Sequence, residues 1–251
     1  MQLIPLSKRL HTIVEYIPKT GVLADIGTDH AFIPIHAVQL NRVQRAIATD
    51  LRSGPLQKAR ENVAKFGLSG VIDLRLGNGL APLAPGEADV IVSAGIGGHV
   101  HTEMLTSGLA VVQRAARVIF QPMNAGHRLR QALDQLGFRL VDERLVLEDD
   151  RVYEIIVAEP TSGQSTPDPA YSAIRHDPHR LAQAYTYGPL LMQAQSPLYQ
   201  LRLTREIEKL QAVLGNVAQS HNEAAGERAA RLRAEIEDMQ MLLREGNGDH
   251  A

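Results

Sequence analysis

The feature that most constrains the fold is a short apolar run that ends in a tight turn between two carboxylates. Residues 22–24 are apolar, and Asp25, Gly27 and Asp29 follow them. This pattern predicts a buried strand whose carboxyl end lies against a nucleotide-like cofactor, as in Rossmann-like sheets. The G-x-G-x-x-G motif that cradles a pyrophosphate is absent, and the carboxylates would repel a phosphate. The turn therefore favours a cofactor with an ammonium group and a ribose but no phosphate, and S-adenosylmethionine has these features.

Strand-like and helix-like segments alternate as far as residue 136. Strands are predicted at 22–26, 45–49, 71–76, 89–93 and 117–121, and helices at about 6–17, 30–40, 53–67, 99–107 and 127–136. Two further strand-like runs, 138–147 and 152–159, are separated by only four residues and predict an antiparallel hairpin. The expected fold is α/β, with a mostly parallel, doubly wound sheet and an antiparallel C-terminal strand pair. That is the plan of the Rossmann-like class I methyltransferases.

The last third of the chain has a different pattern. Residues 161–169 are rich in Thr, Ser, Pro and Gly, which is typical of a linker. Apolar residues then recur at spacings of three and four in two segments, 203–217 and 229–243, which predicts an antiparallel, coiled-coil-like helical hairpin. We therefore expect a catalytic domain at 1–160, a linker at 161–170 and a helical hairpin domain at 171–251.

Composition excludes several classes of site. The 251 residues include no cysteine, so disulfides, thiolate zinc sites and a cysteine nucleophile are ruled out. The net charge of −2 does not by itself indicate nucleic-acid binding. No segment has the pattern of a signal peptide or a membrane span. We expect a cytoplasmic protein with no membrane or metal partner, and nothing in the sequence implies an oligomer.

Three further strand ends carry polar residues or glycines. Asp50 follows the second predicted strand, 23 residues after Gly27, near the spacing of about 20 residues for an acid that binds ribose hydroxyls. Asn78 follows the third strand, and its amide can both donate to and accept from an adenine edge. The glycine-rich turn at 95–98 follows the fourth strand and lets the backbone approach a ligand closely.

Each of these residues also has a structural explanation. Asp29 can cap the following helix, Asp50 can solvate a loop, the glycines can serve turns, and Phe32 can fill the core. The functional interpretation depends on their coincidence, because the carboxyl ends of parallel strands meet at one edge of a sheet. Together these residues favour an adenosine-type cofactor.

Several motifs resemble the bacterial tRNA (adenine-22-N1)-methyltransferase family, TrmK, in order along nearly the whole chain. They are residues 6–10 (LSKRL), 16–18 (YIP), 25–34 (DIGTDHAFIP), 77–80 (GNGL), 94–98 (AGIGG), 121–122 (QP) and 187–190 (YGPL). The chain departs from the family at Asn78, where Asp is common, and at Met123, where Asn is common, although Asn124 lies next to it.

The resemblance implies transfer of a methyl group from S-adenosylmethionine to N1 of adenine 22 in tRNA. It implies that Asp29 is catalytic and that the cofactor is bound by Asp25, Gly27, Asp50, Asn78, Gly79, Ala94 and Gly95. Substrate contacts are expected from Lys8, Arg9, Phe32, Gly97, Gly98, Gln121, Pro122 and Arg128. Further candidate phosphate contacts are Arg114, Arg117, Arg130, Arg202 and Arg205.

Two other functions fit the sequence. One is a class I methyltransferase for a small molecule or a protein, with the helical hairpin used for dimerisation. The other is a non-catalytic binding protein that uses the hairpin as an interaction arm. Residues 171–245 carry nine Lys and Arg against nine Asp and Glu, so charge does not mark the hairpin as a tRNA-binding arm.

Overall fold

A mixed β-sheet organises the first part of the chain. The computed structural model describes residues 3–161, 167–217 and 223–248. Within them the strands are β1 (Thr20–Ile26), β2 (Val43–Asp50), β3 (Ile72–Leu76), β4 (Val90–Ile96), β5 (Arg117–Pro122), β6 (Phe138–Glu148) and β7 (Arg151–Pro160). The sheet has the order β3-β2-β1-β4-β5-β7-β6. The first five strands pair in parallel, and β7 is antiparallel to both β5 and β6, which confirms the predicted fold class.

Helices connect the parallel strands and continue beyond the sheet. In the described residues they are α1 (Lys8–Glu15), α2 (Phe32–Gln39), α3 (Ser53–Lys65), α4 (Gly98–Ser107), α5 (Leu109–Val112), α6 (Gly126–Gln135), α7 (Pro169–Ser172), α8 (Pro178–Tyr187), α9 (Pro189–Ala194), α10 (Pro197–Val217) and α11 (Glu223–Gly248). The sequence pattern does not predict α5, α7 or α9, because segments of four to six residues are too short to show a helical period. It also does not predict the ten-residue α8.

The order of the strands places the functional site. From β1 the chain builds outward to β2 and β3, and it then returns to lay β4 and β5 on the other side of β1. In open α/β sheets, ligands bind at the carboxyl ends of the strands where this reversal occurs. Val90, Ile91 and Val92 of β4 are fully buried, as expected for a central parallel strand covered by helices on both faces.

A buried ion cluster joins the hairpin of β6 and β7 to α6. The Arg130 side chain is fully buried, and its guanidinium donates to Glu143 on β6 at 2.5 Å and to Glu154 on β7 at 2.8 Å. Arg117 is similarly held by Glu159 at 2.7 Å and by the carbonyl of Tyr16 at 3.1 Å. The sequence-based expectation that Arg130 contacts phosphate is therefore wrong, because its guanidinium is fully buried. Phosphate contact by Arg117, whose side chain is 24% exposed, stays a prediction.

The chain divides into two compact units, residues 1–188 and 189–251. Residues 171–188 thus cluster with the sheet, although the sequence pattern places them with the helical hairpin. Contacts with α6 account for this difference: Tyr185 donates to Asp134 at 2.6 Å, Arg175 pairs with Asp134 at 2.7 Å, and Tyr171 is fully buried. Half of the predicted linker, residues 162–166, lies outside the described residues.

The second unit is built on α10 and α11, which pack against each other. Its buried apolar residues include Leu203, Ile207, Ala229, Ile236, Met239 and Leu242. At the end of α11 the sequence pattern predicts Leu243 in the seam, but Leu242 is fully buried and Leu243 only half-buried. The connection at 218–222 lies outside the described residues. No helix in the described part of the chain is long and apolar enough to cross a membrane.

Candidate active site

Two adjoining hollows form one cleft at the carboxyl ends of β1 to β4. The first has a volume of about 450 Å³ and is lined by Arg9, Leu10, Asp25, Gly27, Thr28, Asp29, His30, Phe32, Ile33, Asp50, Arg52, Ala94, Gly95 and Ile96. The second has a volume of about 440 Å³ and is lined by Ile26, Gly27, Thr49, Asp50, Leu51, Arg52, Gly77, Asn78, Gly79, Ile96, Val100, Glu103, Met104 and Ser107. The four residues that line both hollows, Gly27, Asp50, Arg52 and Ile96, join the two parts of the cleft.

The turn after β1 has an unusual backbone. Gly27 has a φ of +78°, Asp29 of +45° and Ala31 of +57°. Positive φ is rare for alanine and costs on the order of 1 kcal/mol. Ala31 occupies the N-cap position of α2 with no side-chain cap, so the sequence-based alternative that Asp29 caps this helix is wrong. The turn instead leaves the Asp29 carboxylate exposed at the edge of the cleft.

Asp25 is a buried acid at the end of β1. Its carboxylate is 3% exposed and accepts a hydrogen bond of 2.6 Å from the Thr28 hydroxyl. Burial is the main cause that raises its pKa from 3.8 to about 6; the Thr28 hydrogen bond opposes this rise, and the nearby Asp50 adds to it. A buried carboxylate with a raised pKa in a cleft is a candidate for binding a cationic ligand group.

Asp50 and Asn78 lie in the second hollow. The Asp50 carboxylate is buried and accepts a hydrogen bond of 2.8 Å from the backbone N–H of Arg52, while its own carbonyl accepts one of 3.0 Å from Gly77. The Asn78 side chain is exposed at the lining. Leu51 and Val100, which are 65% and 51% exposed, form apolar walls here, as a planar base would require.

Asp29, His30 and Phe32 cluster in the first hollow. The Asp29 carboxylate lies 3.4 Å from His30 Nε2, and the His30 ring stacks on Phe32 at a centroid distance of 5.0 Å. Phe32 also packs against the buried core, which is one of the two roles that the sequence left open, and its contact with a base stays a prediction. An aromatic pair beside a carboxylate suits a flat, hydrogen-bonding ligand such as a nucleobase.

The structure separates the predicted substrate contacts into two groups. Arg9 and Phe32 line the cleft, whereas Lys8, Gly97, Gly98, Gln121, Pro122 and Arg128 do not. Lys8 and Arg128 are exposed elsewhere on the surface. Gly98 is buried against the backbone of Ala125, and a side chain at this position would collide with the Ala125 carbonyl. Close packing of two chain segments therefore explains why position 98 is a glycine.

Sequence reasoning missed several lining residues. Thr28, whose hydroxyl holds Asp25, follows that acid by three residues, and this spacing was an available signal. Leu51, Val100 and Met104 are apolar residues in loop or helix segments, and only the tertiary structure shows that they line a cleft. Arg52 was also missed, because one arginine next to an acid has no distinctive pattern.

The cleft residues fit S-adenosylmethionine by their chemistry. Asp25 matches an ammonium group, Asp50 matches a pair of ribose hydroxyls, and Asn78 between apolar walls matches an adenine. Gly79 and Gly95, with φ of +55° and +80°, allow the backbone to line the cleft closely. No group of three or more His, Asp or Glu side chains in the described residues is placed to hold a metal ion.

Comparisons with known proteins agree with this geometry. A methyltransferase domain family model matches residues 6–156. The tRNA (adenine(22)-N(1))-methyltransferase of Bacillus subtilis (strain 168) is 34% identical over 245 residues, which cover 98% of each chain. The chain belongs to the tRNA (adenine(22)-N(1))-methyltransferase family.

Solved structures of similar chains extend the likeness to both units. The Bacillus subtilis m1A22 tRNA methyltransferase TrmK is 32% identical, with a TM-score of 0.83 over 95% of this chain and 99% of that chain. A Streptococcus pneumoniae protein solved in complex with S-adenosyl-L-methionine is 31% identical, with a TM-score of 0.80 over 95% of this chain and 100% of that chain.

Asn78 and Met123, which the sequence resemblance marks as departures, lie at or near the cleft. Asn78 keeps a hydrogen-bonding side chain in the lining. Met123 is 47% exposed, and its sulfur lies 3.7 Å from Gln121 Nε2. Its backbone N–H donates at 2.9 Å to the carbonyl of Ile96, which lines both hollows. Met123 therefore lies close to the rim of the cleft.

Proposed function

We propose that this protein methylates N1 of adenine 22 in tRNA, using S-adenosylmethionine, in the cytoplasm. The observation that carries the proposal is the joined cleft. One hollow has the groups for an adenosine, and the other places a carboxylate and an aromatic pair beside the same strand ends. The relative that is 34% identical over 98% of both chains bears the name of this activity.

Residues at the ends of different strands would bind different parts of the cofactor. The Asp25 carboxylate would accept from the ammonium group, and the Asp50 carboxylate would accept from the ribose hydroxyls. Asn78 would pair with the edge of the adenine, and Leu51 and Val100 would provide the apolar walls beside it. These residues would hold the cofactor in the cleft, which matters because alignment of two reacting centres supplies a large part of the rate.

The bound cofactor supplies a methyl group that is already activated on a sulfonium sulfur. An adenine N1 carries its own lone pair, so the protein need not remove a proton to create a nucleophile. It must instead receive a base taken out of its stack. The His30 and Phe32 rings provide an aromatic surface for that base, and Asp29 lies beside them. The exposed Asp29 carboxylate stabilises the positive charge that develops on the methylated base.

Methylation of a transcribed tRNA tests the proposal. The protein is incubated with the tRNA and labelled S-adenosylmethionine, and mass spectrometry locates the modified nucleotide. We expect a single methyl group on N1 of adenine 22. A methyl group on another base or ring atom overturns the specificity. Transfer only to metabolites or proteins identifies a methyltransferase of a different substrate class, and no transfer to any substrate supports a binding protein.

The Asp29→Asn variant tests the catalytic assignment. It removes the charge while keeping the size of the side chain, and asparagine tolerates positive φ. We expect methyl transfer to fall roughly 100-fold, in line with the loss of one electrostatic contact in a transition state, while cofactor affinity measured by calorimetry is unchanged. The matched control is Asp73→Asn, an exposed carboxylate on β3 outside the cleft. Full activity in Asp29→Asn rules out the assignment.

A further inference from the structure

Three basic side chains lie together beside the cleft without lining it. His99 is the second residue of α4, and His127 and Arg128 are the second and third residues of α6. All three are exposed. In the part of the chain that the structure describes, none of these side chains has a hydrogen-bond or salt-bridge partner. We call His99, His127 and Arg128 the rim patch.

The segments that carry the rim patch are joined to the cleft. The helices α4 and α6 pack against each other. In the segment before α6, the N–H of Met123 donates at 2.9 Å to the carbonyl of Ile96, which lines both hollows. In α4, His99 directly precedes Val100, which lines the second hollow. The rim patch therefore borders the cleft on the side of β4 and β5.

The surroundings of His127 show that the rim patch is electropositive. Partial burial lowers the pKa of His127 below its ordinary value, and Arg128 and His99 lower it further. Arg130 adds to this fall, whereas Glu154 opposes it. Neighbouring positive charge disfavours the protonated imidazole, and an anion bound beside it would offset that charge. A neutral imidazole still has one N–H to donate.

We propose that the rim patch binds the phosphate groups that flank the methylated adenosine in the tRNA backbone. This inference rests on the proposed function, because it requires a tRNA whose target base lies in the cleft. A base taken out of its stack stays joined to its backbone, so its flanking phosphates lie at the edge of the pocket that holds the base. The Arg128 guanidinium offers a phosphate both charge and several donors. The imidazoles of His99 and His127 each add an N–H.

The salt dependence of tRNA affinity tests the rim patch. Filter binding between about 50 and 200 mM salt compares the wild type with Arg128→Gln, His127→Ala and the control Arg45→Gln. Arg45 is exposed near the amino end of β2, away from the edge that holds the cleft. We expect Arg128→Gln to weaken binding roughly 10-fold at low salt and to reduce the slope of log affinity against log salt by about one. His127→Ala removes a donor rather than a full charge, so it weakens binding with little change in slope. Arg45→Gln behaves as the wild type.

A neutral linkage identifies the phosphates that the patch binds. Two tRNAs carry a single 2′-deoxy methylphosphonate linkage, on the 5′ or the 3′ side of adenosine 22, and matched control tRNAs carry the 2′-deoxy change with the phosphate intact. At one of these linkages we expect the loss of charge to weaken wild-type binding roughly 10-fold. It should not further weaken binding by Arg128→Gln, because both changes remove the same contact. Additive losses at both linkages overturn the proposal.

The possible failures are distinguishable. Calorimetry with S-adenosylmethionine shows that each variant is folded and keeps its cofactor affinity. If Arg128→Gln keeps wild-type tRNA affinity and slope and still methylates tRNA, the rim patch does not bind phosphate and the proposed function stands. If methyl transfer at saturating tRNA falls while affinity and slope are unchanged, phosphate binding by the patch is also excluded. If the wild type neither binds nor methylates tRNA, the proposed function fails and this assignment fails with it.

Discussion

Replacing Asp25 with asparagine tests the electrostatics of the cleft in two ways. The pKa of Asp25 is raised from 3.8 to about 6, mainly by burial; the hydrogen bond from Thr28 opposes this rise, and Asp50 adds to it. In the free protein the carboxylate is therefore held in an environment that disfavours its charge. An ammonium group of a ligand would relieve this unfavourable state, so binding and ionisation are coupled.

The pKa sets the expected pH dependence of cofactor affinity. A ligand ammonium binds the ionised form of Asp25, and this form is lost as the pH falls through about 6. The apparent dissociation constant therefore rises about tenfold between pH 7 and pH 5. Near pH 6, binding releases about half a proton. Measurements stay below pH 7.5, since an α-amino group itself begins to lose its proton near pH 8.

The same pKa predicts an effect on the stability of the ligand-free protein. Because the folded pKa of about 6 exceeds the ordinary value of 3.8, the folded protein binds the proton more tightly than the unfolded chain. The free energy of unfolding therefore falls as the pH rises between these values. Above pH 6 the ionised Asp25 lowers it by the full amount of about 3 kcal/mol. Asp25→Asn removes this cost, and its amide oxygen still accepts from Thr28. The variant is expected to be more stable at pH 7 but not at pH 4.

Calorimetry from pH 5 to 7.5, in buffers of different ionisation enthalpy, measures both affinity and proton release. Urea unfolding without ligand, at pH 4 and pH 7, measures stability. Asp25→Asn is expected to bind more weakly at pH 7 and to show no pH dependence, while the exposed control Asp73→Asn behaves as the wild type. The reasoning is refuted if wild-type affinity is the same at pH 5 and pH 7, or if Asp25→Asn is less stable than the wild type at pH 7.

Three other predictions concern packing and substrate binding. Arg130→Met leaves two glutamates uncompensated in the interior and should lower the free energy of unfolding in urea by about 3–5 kcal/mol, whereas the exposed Arg128→Met should change it by less than ~0.5 kcal/mol; a small loss at position 130 would contradict a buried ion cluster. Gly98→Ala forces a methyl group against the Ala125 carbonyl and should cost about 1–3 kcal/mol, while Gly54→Ala, with open space around it in α3, should cost nothing. The affinity for tRNA in a filter-binding assay should fall steeply as salt rises from about 50 to 200 mM, and an affinity independent of salt would exclude phosphate contacts.

Much of the sheet was predictable because its signals are local. Apolar runs bounded by turns located all seven strands, and the four-residue loop between the last two runs required them to pair antiparallel. The acids and glycines at the ends of β1 to β4 were found for the same reason, since parallel strands bring their carboxyl ends to one edge. Asp25, Asp50 and Asn78, which the sequence analysis places at these strand ends, all line the cleft.

The errors concern residues whose role depends on distant partners. Arg130 was a candidate phosphate contact by charge alone, yet its partners are 13 and 24 residues away on two strands. Gln121 was assigned to the substrate, but its side chain is fully buried and accepts a hydrogen bond from Arg9, 112 residues away. The sequence alone does not show which distant residue a charged or amide side chain will pair with.

The sequence by itself determined the main helices and strands, their order, and the edge of the sheet at which the functional residues lie. These features depend on hydrophobic periodicity and on turn residues, which act within a few positions of the chain. The tertiary structure decided which polar groups at that edge stay available to a ligand. Burial and long-range pairing set the pKa of Asp25 and confined Arg130 and Gln121 to the interior. Those effects depend on distances in space, which no local pattern contains.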